Sequence, residues 1–233
     1  MANVILLPGL ACDAGLWKHQ VDALAPRHEV QVADVHQRYD TLPAMAAGLL
    51  AETAGPLVLV GASMGGMVAL EAARQQPGRV AAIALLGSSA RADTPDLIRL
   101  RTEAIRHFEA GRVEEVLMAN VAFAFHPEAA QRAGLVAEYV AMVRRAGAQQ
   151  LIRQNRAVMA RGDLRPTLPA LRSPLLVLCG EADRLTPPEV SEEIAAAVPR
   201  ARLEIVAGAG HMLTMEQPAR VNALLADWLQ SLR

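Results

Sequence analysis

Three residues that lie far apart in the chain, Ser63, Asp183 and His211, have the types that nucleophilic catalysis requires. A serine hydroxyl is a poor nucleophile until a base removes its proton. An imidazole titrates near neutrality, so it can take that proton and later give it to a leaving group. A carboxylate fixes the imidazole tautomer and stabilises the imidazolium. These types predict acyl transfer with Ser63 as nucleophile, His211 as base and then acid, and Asp183 as the group that orients the histidine.

The sequence around Ser63 predicts a strand, a sharp turn and a helix. Residues 56–60 form an apolar run, the pattern Gly61-Ala62-Ser63-Met64-Gly65 follows, and residues 67–74 have a helical pattern. In this context a G-x-S-x-G turn lifts the serine to the top of a sheet, at the N-terminus of a helix. The free N–H groups and the helix dipole at that position favour developing negative charge.

Asp183 and His211 are each predicted to lie in a loop that follows a strand. The apolar run 174–180 precedes Asp183, and the run 202–206 precedes the Gly-rich loop that carries His211. Because ligands bind at the carboxyl ends of parallel strands, we expect these loops to meet the loop that carries Ser63. Glu181 is the closest rival acid, but we favour Asp183. The remaining histidines are interpreted as surface or cap residues: His19, His28, His36, His107 and His126.

Acyl transfer also creates an oxyanion, which two backbone N–H groups are expected to bind. One donor is expected at Met64, directly after the nucleophile. The other is expected at Leu10, in the loop that follows the first strand and Pro8-Gly9. Glycine at position 9 would let this loop approach the reacting carbonyl closely. Loss of one such donor typically costs about 3–4 kcal/mol in the transition state.

The elements that must position these residues alternate between strand and helix along most of the chain. This alternation predicts an α/β fold, with a mostly parallel sheet and helices on both faces. Residues 91–163, here called the helical insertion, interrupt the alternation because they contain no comparable strand run. Strands are expected near 4–7, 29–35, 57–60, 80–86, 175–180 and 202–206, and helices of the insertion near 95–110, 112–120, 127–146 and 148–161.

The helical insertion is expected to lie over the edge of the sheet where the catalytic loops meet. Its apolar side chains could therefore face a cavity, although each of them could instead pack the helices together. The candidate substrate contacts are Trp17, Met118, Phe123, Phe125 and Met212.

Composition argues against several other classes of function. The chain has 233 residues, of which 52% are apolar, and a net charge of −1; this describes a globular domain without the basic field that nucleic-acid binding needs. It has no apolar run long enough for a membrane helix and no signal-peptide pattern. Its two cysteines are far apart, and zinc, Walker and dinucleotide motifs are absent. We therefore expect a cytoplasmic protein that uses no metal and no cofactor, and that has a small molecule as its partner.

Four motifs in this chain occur in the order typical of the α/β-hydrolase superfamily, which the chain resembles over essentially its whole length. They are Leu7-Pro8-Gly9-Leu10, Gly61-Ala62-Ser63-Met64-Gly65-Gly66, Gly180-Glu181-Ala182-Asp183 and Gly208-Ala209-Gly210-His211. The resemblance implies a carboxylesterase-like serine hydrolase with a Ser63–Asp183–His211 triad. It also implies a core of residues 1–90 and 164–233, with residues 91–163 as a helical cap between the sixth and seventh family strands.

The expected activity is cleavage of a small carboxylic ester or thioester through a covalent acyl-enzyme. Two hypotheses keep the same three residues but change the chemistry: hydrolysis of a C–C bond, or a lyase resembling those of menaquinone synthesis. The sequence does not separate these from ester cleavage. A third hypothesis is a ligand-binding module without catalysis, against which the presence of all three residues argues. Neither the acyl chain length nor the oligomeric state follows from the sequence.

Overall fold

The computed structural model describes residues 2–232, and these residues form a six-stranded sheet in which every neighbouring pair of strands is parallel. The strand order is β2-β1-β3-β4-β5-β6, so the direction of winding reverses between β1 and β3. In sheets of this kind, ligands bind at the carboxyl ends of the strands beside that reversal. The strands are β1 (Asn3–Leu7), β2 (Glu29–Val32), β3 (Leu57–Ala62), β4 (Val80–Leu86), β5 (Leu175–Gly180) and β6 (Arg202–Val206).

Helices cover both faces of this sheet. Side chains alternate along the strands, so that Val4 and Leu6 face one buried cluster while Ile5 and Leu7 face the other. The predicted parallel sheet with helices on both faces is therefore confirmed. In the described part of the chain the α-helices are α1 (Lys18–Leu24), α2 (Val35–Arg38), α3 (Leu42–Glu52), α4 (Met64–Gln75), α5 (Pro95–Glu109), α6 (Val113–Ala124), α7 (Ala133–Met159), α8 (Pro188–Ala197), α9 (Leu213–Glu216) and α10 (Pro218–Ser231).

The helical insertion contains α5, α6 and α7 and separates β4 from β5. α7 spans 27 residues but is interrupted at Gly147, whose φ of 72° and ψ of 168° are not helical. This interruption falls where the sequence pattern predicted a break between two helices. Residues of the insertion share a buried apolar cluster with Ala11 and Met212, which lie in the loops after β1 and β6.

The second strand is shorter than its sequence pattern predicted. We expected residues 29–35 to form it, but β2 ends at Val32, and Val35 begins the short helix α2. The amide of Tyr39 donates to the carbonyl of Val35, which closes this helical turn, and Val35 is buried in the cluster that contains α3 and α4. Burial of the Val35 side chain in a helical turn therefore outweighs the preference of valine for a strand.

Among residues 2–232, no helix is long and apolar enough to cross a membrane.

Candidate active site

Ser63 lies in the turn between β3 and α4, in a backbone conformation that is unusual for a residue with a side chain. Its φ is 50° and its ψ is −117°, and conformations of this kind cost on the order of 1–3 kcal/mol. Hydrogen bonds to its amide and to its carbonyl hold it there. The amide of Ser63 donates to the carbonyl of Leu86 at 2.8 Å, while the hydroxyl of Ser88 and the amide of Gly66 donate to the carbonyl of Ser63 at 2.8 and 3.0 Å. The surrounding structure thus fixes the turn.

The two glycines of the turn are required by the close approach of neighbouring backbone. A Cβ atom at Gly65 would lie 2.0 Å from the carbonyl oxygen of Leu7, and one at Gly61 would lie 2.4 Å from the amide nitrogen of Gly66. Since both neighbours are backbone atoms, neither can rotate away. Gly65 therefore allows the turn to pack against the C-terminal end of β1, and Gly61 allows β3 to pack against the start of α4.

Asp183 and His211, which follow β5 and β6, form a buried pair. Oδ2 of Asp183 lies 2.8 Å from Nδ1 of His211, and the two side chains are 0% and 9% exposed. Asp183 also accepts hydrogen bonds from the amides of Leu185 and Thr186 and from the hydroxyl of Thr186, each at 2.9 Å. Because a carboxylate oxygen accepts, Nδ1 of His211 carries a proton in this pair. In the neutral ring Nε2 is then free to take a proton from a nucleophile.

The pKa of each partner is displaced from its ordinary value. Burial lowers the pKa of His211, but the facing Asp183 carboxylate, its hydrogen bond and the charge of Glu216 raise it more, so the net direction is upward. Burial raises the pKa of Asp183, but His211 and the donors of Thr186 lower it more, so the net direction is downward. The pair therefore favours an ionised carboxylate beside an imidazole whose pKa is raised.

The loop after β4 connects this pair to Ser63. Leu86 and Ser88 bond to the backbone of Ser63, and Gly87 lies between them in sequence with a φ of 53°. A Cβ atom at Gly87 would lie 3.0 Å from Oδ2 of Asp183 and 3.2 Å from Nδ1 of His211. Ser63 and the Asp183–His211 pair thus both adjoin the loop after β4, at the carboxyl edge of the sheet.

The loop after β1 packs against the serine. A Cβ atom at Gly9 would lie 3.3 Å from both Cβ of Ser63 and the carbonyl oxygen of Ala62, so a larger residue there would crowd the turn. Leu10 follows directly in this loop. Met64 is the first residue of α4, a position whose N–H has no partner within the helix. Both predicted oxyanion donors therefore belong to backbone segments adjoining Ser63.

The rival acid Glu181 and the nearby thiol of Cys12 lie in surroundings that differ from those of Asp183 and Ser63. The side chain of Glu181 is 47% exposed and accepts from the amide of Gly208 at 2.6 Å, on the outer side of the loop. Cys12 lies close to Gly9, but burial, and then the charge of Asp13, raise the pKa of its thiol to about 12. A protonated thiol is not a nucleophile. The interpretation of His28 and His36 as surface or cap residues is wrong, since both are buried and lie outside the helical insertion.

The five apolar candidates for substrate contact divide into two groups. Trp17, Phe125 and Met212 are buried in one cluster with Ala11 and Cys12 of the loop after β1. The Phe125 ring packs edge-on against Tyr139 with 5.2 Å between the ring centroids. Met118 and Phe123, by contrast, lie on the outer part of α6 and are about half exposed.

Several residues that support the site carry no strong sequence signal. The hydroxyl of Thr186 bonds to Asp183, and the hydroxyl of Ser88 bonds to the backbone of Ser63. Glu216 is buried in α9 and accepts from the amides of His126 and Gly210 at 2.8 and 2.9 Å, which joins the insertion to the loop of His211. Gln154 of α7 bonds to the amide of Ala11 at 2.7 Å.

Within residues 2–232, no group of three or more His, Cys, Asp or Glu side chains is arranged to hold a metal ion.

Comparison with known sequences gives a consistent result over almost the whole chain. Residues 4–224 match the model of the Alpha/beta hydrolase family. A pimeloyl-[acyl-carrier protein] methyl ester esterase of Xanthomonas oryzae pv. oryzae is 28% identical over 245 residues, which cover 98% of this chain and 95% of that protein. A relative of the same description from Stenotrophomonas maltophilia is 26% identical, with 99% of this chain and 93% of that protein covered.

Comparison with solved structures agrees. A thermophilic esterase from Thermogutta terrifontis, with malate bound, has a TM-score of 0.89 and 27% identity, and the superposition covers 100% of this chain and 90% of that one. An enol-lactonase from Burkholderia xenovorans has a TM-score of 0.86 and 23% identity, and the superposition covers 99% of this chain and 92% of that one. At this identity the likeness concerns the fold alone. The predicted α/β-hydrolase fold is confirmed, and the chain belongs to the alpha/beta hydrolase family.

Proposed function

We propose that the chain is a serine hydrolase that cleaves a carboxylic ester or thioester through an acyl-enzyme on Ser63. The observation that carries this proposal is the buried Asp183–His211 pair, with 2.8 Å between Oδ2 and Nδ1, beside a serine in a strained turn. Burying an ionised carboxylate beside an imidazole costs desolvation free energy, so pairs of this kind occur mainly where they serve a function.

The first half of the reaction forms a bond between Oγ of Ser63 and the carbonyl carbon of the substrate. The hydroxyl proton moves to Nε2 of His211, and the Asp183 carboxylate stabilises the resulting imidazolium. The carbonyl oxygen becomes an oxyanion, for which the N–H groups of Leu10 and Met64 are the proposed donors. When the tetrahedral intermediate collapses, His211 gives its proton to the departing alcohol or thiol, which leaves an acyl-enzyme.

The second half repeats these steps with water as the nucleophile. His211 takes a proton from water while the oxygen attacks the acyl carbon, and the same backbone donors bind the second oxyanion. Collapse of this intermediate breaks the bond to Ser63, and the proton on His211 returns to the serine oxygen. The products are a carboxylic acid and the regenerated enzyme.

For the substrate we propose an ester of a small alcohol on an extended acyl chain, such as a methyl ester. The relatives of about 28% identity that are described as methyl ester esterases support this class.

Residues 91–163 are the proposed cap, with 1–90 and 164–233 as the core. Trp17, Phe125 and Met212 are the candidates for contact with the acyl chain, because they lie in the buried cluster shared by the insertion and the loop after β1. The C–C hydrolase and lyase hypotheses have no comparable support among these relatives.

The test compares the parent protein with Ser63→Ala on p-nitrophenyl esters of increasing acyl length and on methyl esters of dicarboxylic acids. We expect the variant to lose at least about 10³-fold in kcat, by analogy with triad deletions in other serine hydrolases. Ser173→Ala is a matched control, because the hydroxyl of Ser173 bonds to the carbonyl of Val80 at the amino-terminal edge of the sheet, opposite the site. Equal rates in the parent and in Ser63→Ala would overturn the assignment of Ser63.

A further inference from the structure

The loop after β1 contains a second unusual backbone conformation, one residue beyond the proposed donor Leu10. Ala11 has a φ of 62°, in the left-handed region that residues with a side chain seldom adopt. A conformation of this kind is strained and persists only where neighbouring groups hold it. Within the loop, the amide of Cys12 donates to the carbonyl of Gly9 at 3.2 Å, which closes a tight turn around Leu10 and Ala11.

Gln154 of the helical insertion holds this turn from one side. Its Oε1 accepts a hydrogen bond from the amide of Ala11 at 2.7 Å, across 143 positions of sequence, and its side chain is fully buried. Its Nε2 donates to the carbonyl of His36 at 2.9 Å, so the side-chain amide has a defined orientation with oxygen toward Ala11. A buried bond of this kind is costly to break, because an unpaired backbone N–H remains.

His36 holds the same turn from the other side. Its Nε2 lies 2.8 Å from the carbonyl oxygen of Cys12, and because a carbonyl only accepts, Nε2 is the donor. Burial lowers the pKa of His36, which outweighs the opposing contribution of that hydrogen bond, so the neutral ring is favoured near neutrality. The amide of Ala11 and the carbonyl of Cys12 are thus both anchored, one by α7 of the insertion and one by α2 of the core.

We propose that Gln154 is a positioning residue for the oxyanion hole, which holds the turn of residues 9–12 so that the N–H of Leu10 points at the reacting carbonyl. The inference rests on the proposed function, since Leu10 matters as a donor only if an oxyanion forms. It gives the helical insertion a part in transition-state stabilisation, in addition to any part in binding substrate. A rigid donor is worth more than a mobile one because it costs no reorganisation when charge develops.

The chain offers a matched control one helical turn earlier. Gln150 also donates from Nε2 to the carbonyl of His36, at 2.7 Å, but it bonds to no atom of the turn. Gln150→Met and Gln154→Met therefore remove the same type of side chain from the same helix and the same bond to His36. Only Gln154→Met also leaves the amide of Ala11 without its acceptor. Gln154→Glu keeps an acceptor for that amide and loses the donor to His36.

The experiment measures kcat and KM on a p-nitrophenyl ester, inhibition by an alkyl boronic acid that forms a tetrahedral adduct with the serine, and hydrogen exchange of a peptide that covers residues 9–12. For Gln154→Met we expect kcat to fall about 10- to 100-fold with KM within about twofold, because loss of a whole oxyanion donor costs about 10²–10³ and a misplaced donor costs less. Boronate affinity should fall in parallel, and the peptide should exchange faster. Gln150→Met should stay close to the parent, and Gln154→Glu should recover part of kcat.

A purely structural role for Gln154 predicts a different result. The melting temperature of Gln154→Met would then fall, while its kcat, its boronate affinity and the hydrogen exchange of its residues 9–12 would match those of Gln150→Met. That result would overturn the inference. Failure of the proposed function is distinguishable, because it appears in the parent protein as absence of ester turnover and of boronate binding. In that case faster exchange in Gln154→Met would still support the anchoring of the turn, and unchanged exchange would still refute it.

Discussion

Replacement of Gly65 by alanine tests how closely the turn around Ser63 and the loop after β1 depend on each other. The new Cβ atom would lie 2.0 Å from the carbonyl oxygen and 2.6 Å from the carbonyl carbon of Leu7, and 2.8 Å from the carbonyl oxygen of Pro8. Side-chain Cβ atoms essentially never approach other atoms within 3.0 Å, so the two backbones must separate by at least about 1 Å. No side-chain rotation can relieve this contact, since every atom concerned belongs to the backbone.

The expected cost is at least about 3 kcal/mol, because ordinary overpacking costs roughly 1–3 kcal/mol and here the displaced atoms are at a strand end. For a protein of this size that corresponds to a fall in Tm of roughly 6–12 °C. Differential scanning calorimetry measures this value, and a p-nitrophenyl ester assay well below Tm measures the effect on the site. The folded fraction of Gly65→Ala should be nearly inactive, because residues 7 and 8 lead directly into the loop after β1, which carries the proposed donor Leu10.

Gly134→Ala is the control for this substitution. Gly134 lies in the first turn of α7, and a Cβ atom there meets nothing within 4 Å. Alanine is the better helix former by up to about 1 kcal/mol, so this variant should match or exceed the Tm of the parent. A Gly65→Ala protein that melts within about 2 °C of the parent would refute the reasoning about backbone contact.

Two further predictions concern the Asp183–His211 pair. The pKa of His211 is raised above its ordinary value of 6.5, and only the neutral ring acts as a base. We therefore expect kcat/KM to fall on the acid side with a midpoint above pH 6.5. A profile measured from pH 5 to 9 whose midpoint lies below 6.5 would contradict this expectation. Asp183→Asn should lower kcat by about 10⁴-fold, as loss of the orienting carboxylate does in other triads. Glu181→Gln, which removes the exposed rival acid, should change kcat by less than about tenfold. Steady-state kinetics of the two variants shows which carboxylate orients the histidine.

The fold was predictable from the sequence because its four central strands, β1, β3, β4 and β5, are short, almost continuously apolar and separated by helical patterns. Strands buried on both faces require such runs, and β3 and β5 are buried along their whole lengths. The turn around Ser63 was predictable for a related reason, since glycines at positions 61 and 65 are the residues that close backbone approach demands. In both cases the physical constraint acts on neighbouring residues and leaves a local pattern.

The groups that support the site were not predictable, because their constraints act between distant segments. Gln154 is an ordinary helix residue in the sequence, and its bond to Ala11 depends on how α7 lies against the loop after β1. The helix α2 was missed for the same reason, since Val35 has strand character and only tertiary packing turns it into a helical residue. A left-handed alanine at position 11 leaves no pattern at all.

These long-range bonds join the helical insertion to the loops that surround the proposed catalytic residues. At one end of the site, Gln154 bonds to the loop after β1. At the other end, the carbonyl of Ala124 accepts from the amide of Met212, and the amide of His126 shares the buried Glu216 carboxylate with Gly210. The insertion is therefore bonded to the loop proposed to hold the oxyanion and to the loop that carries His211. Since buried bonds to backbone tolerate little displacement, substitutions at these contacts should act on kcat, whereas substitutions on the exposed side of α6 should not.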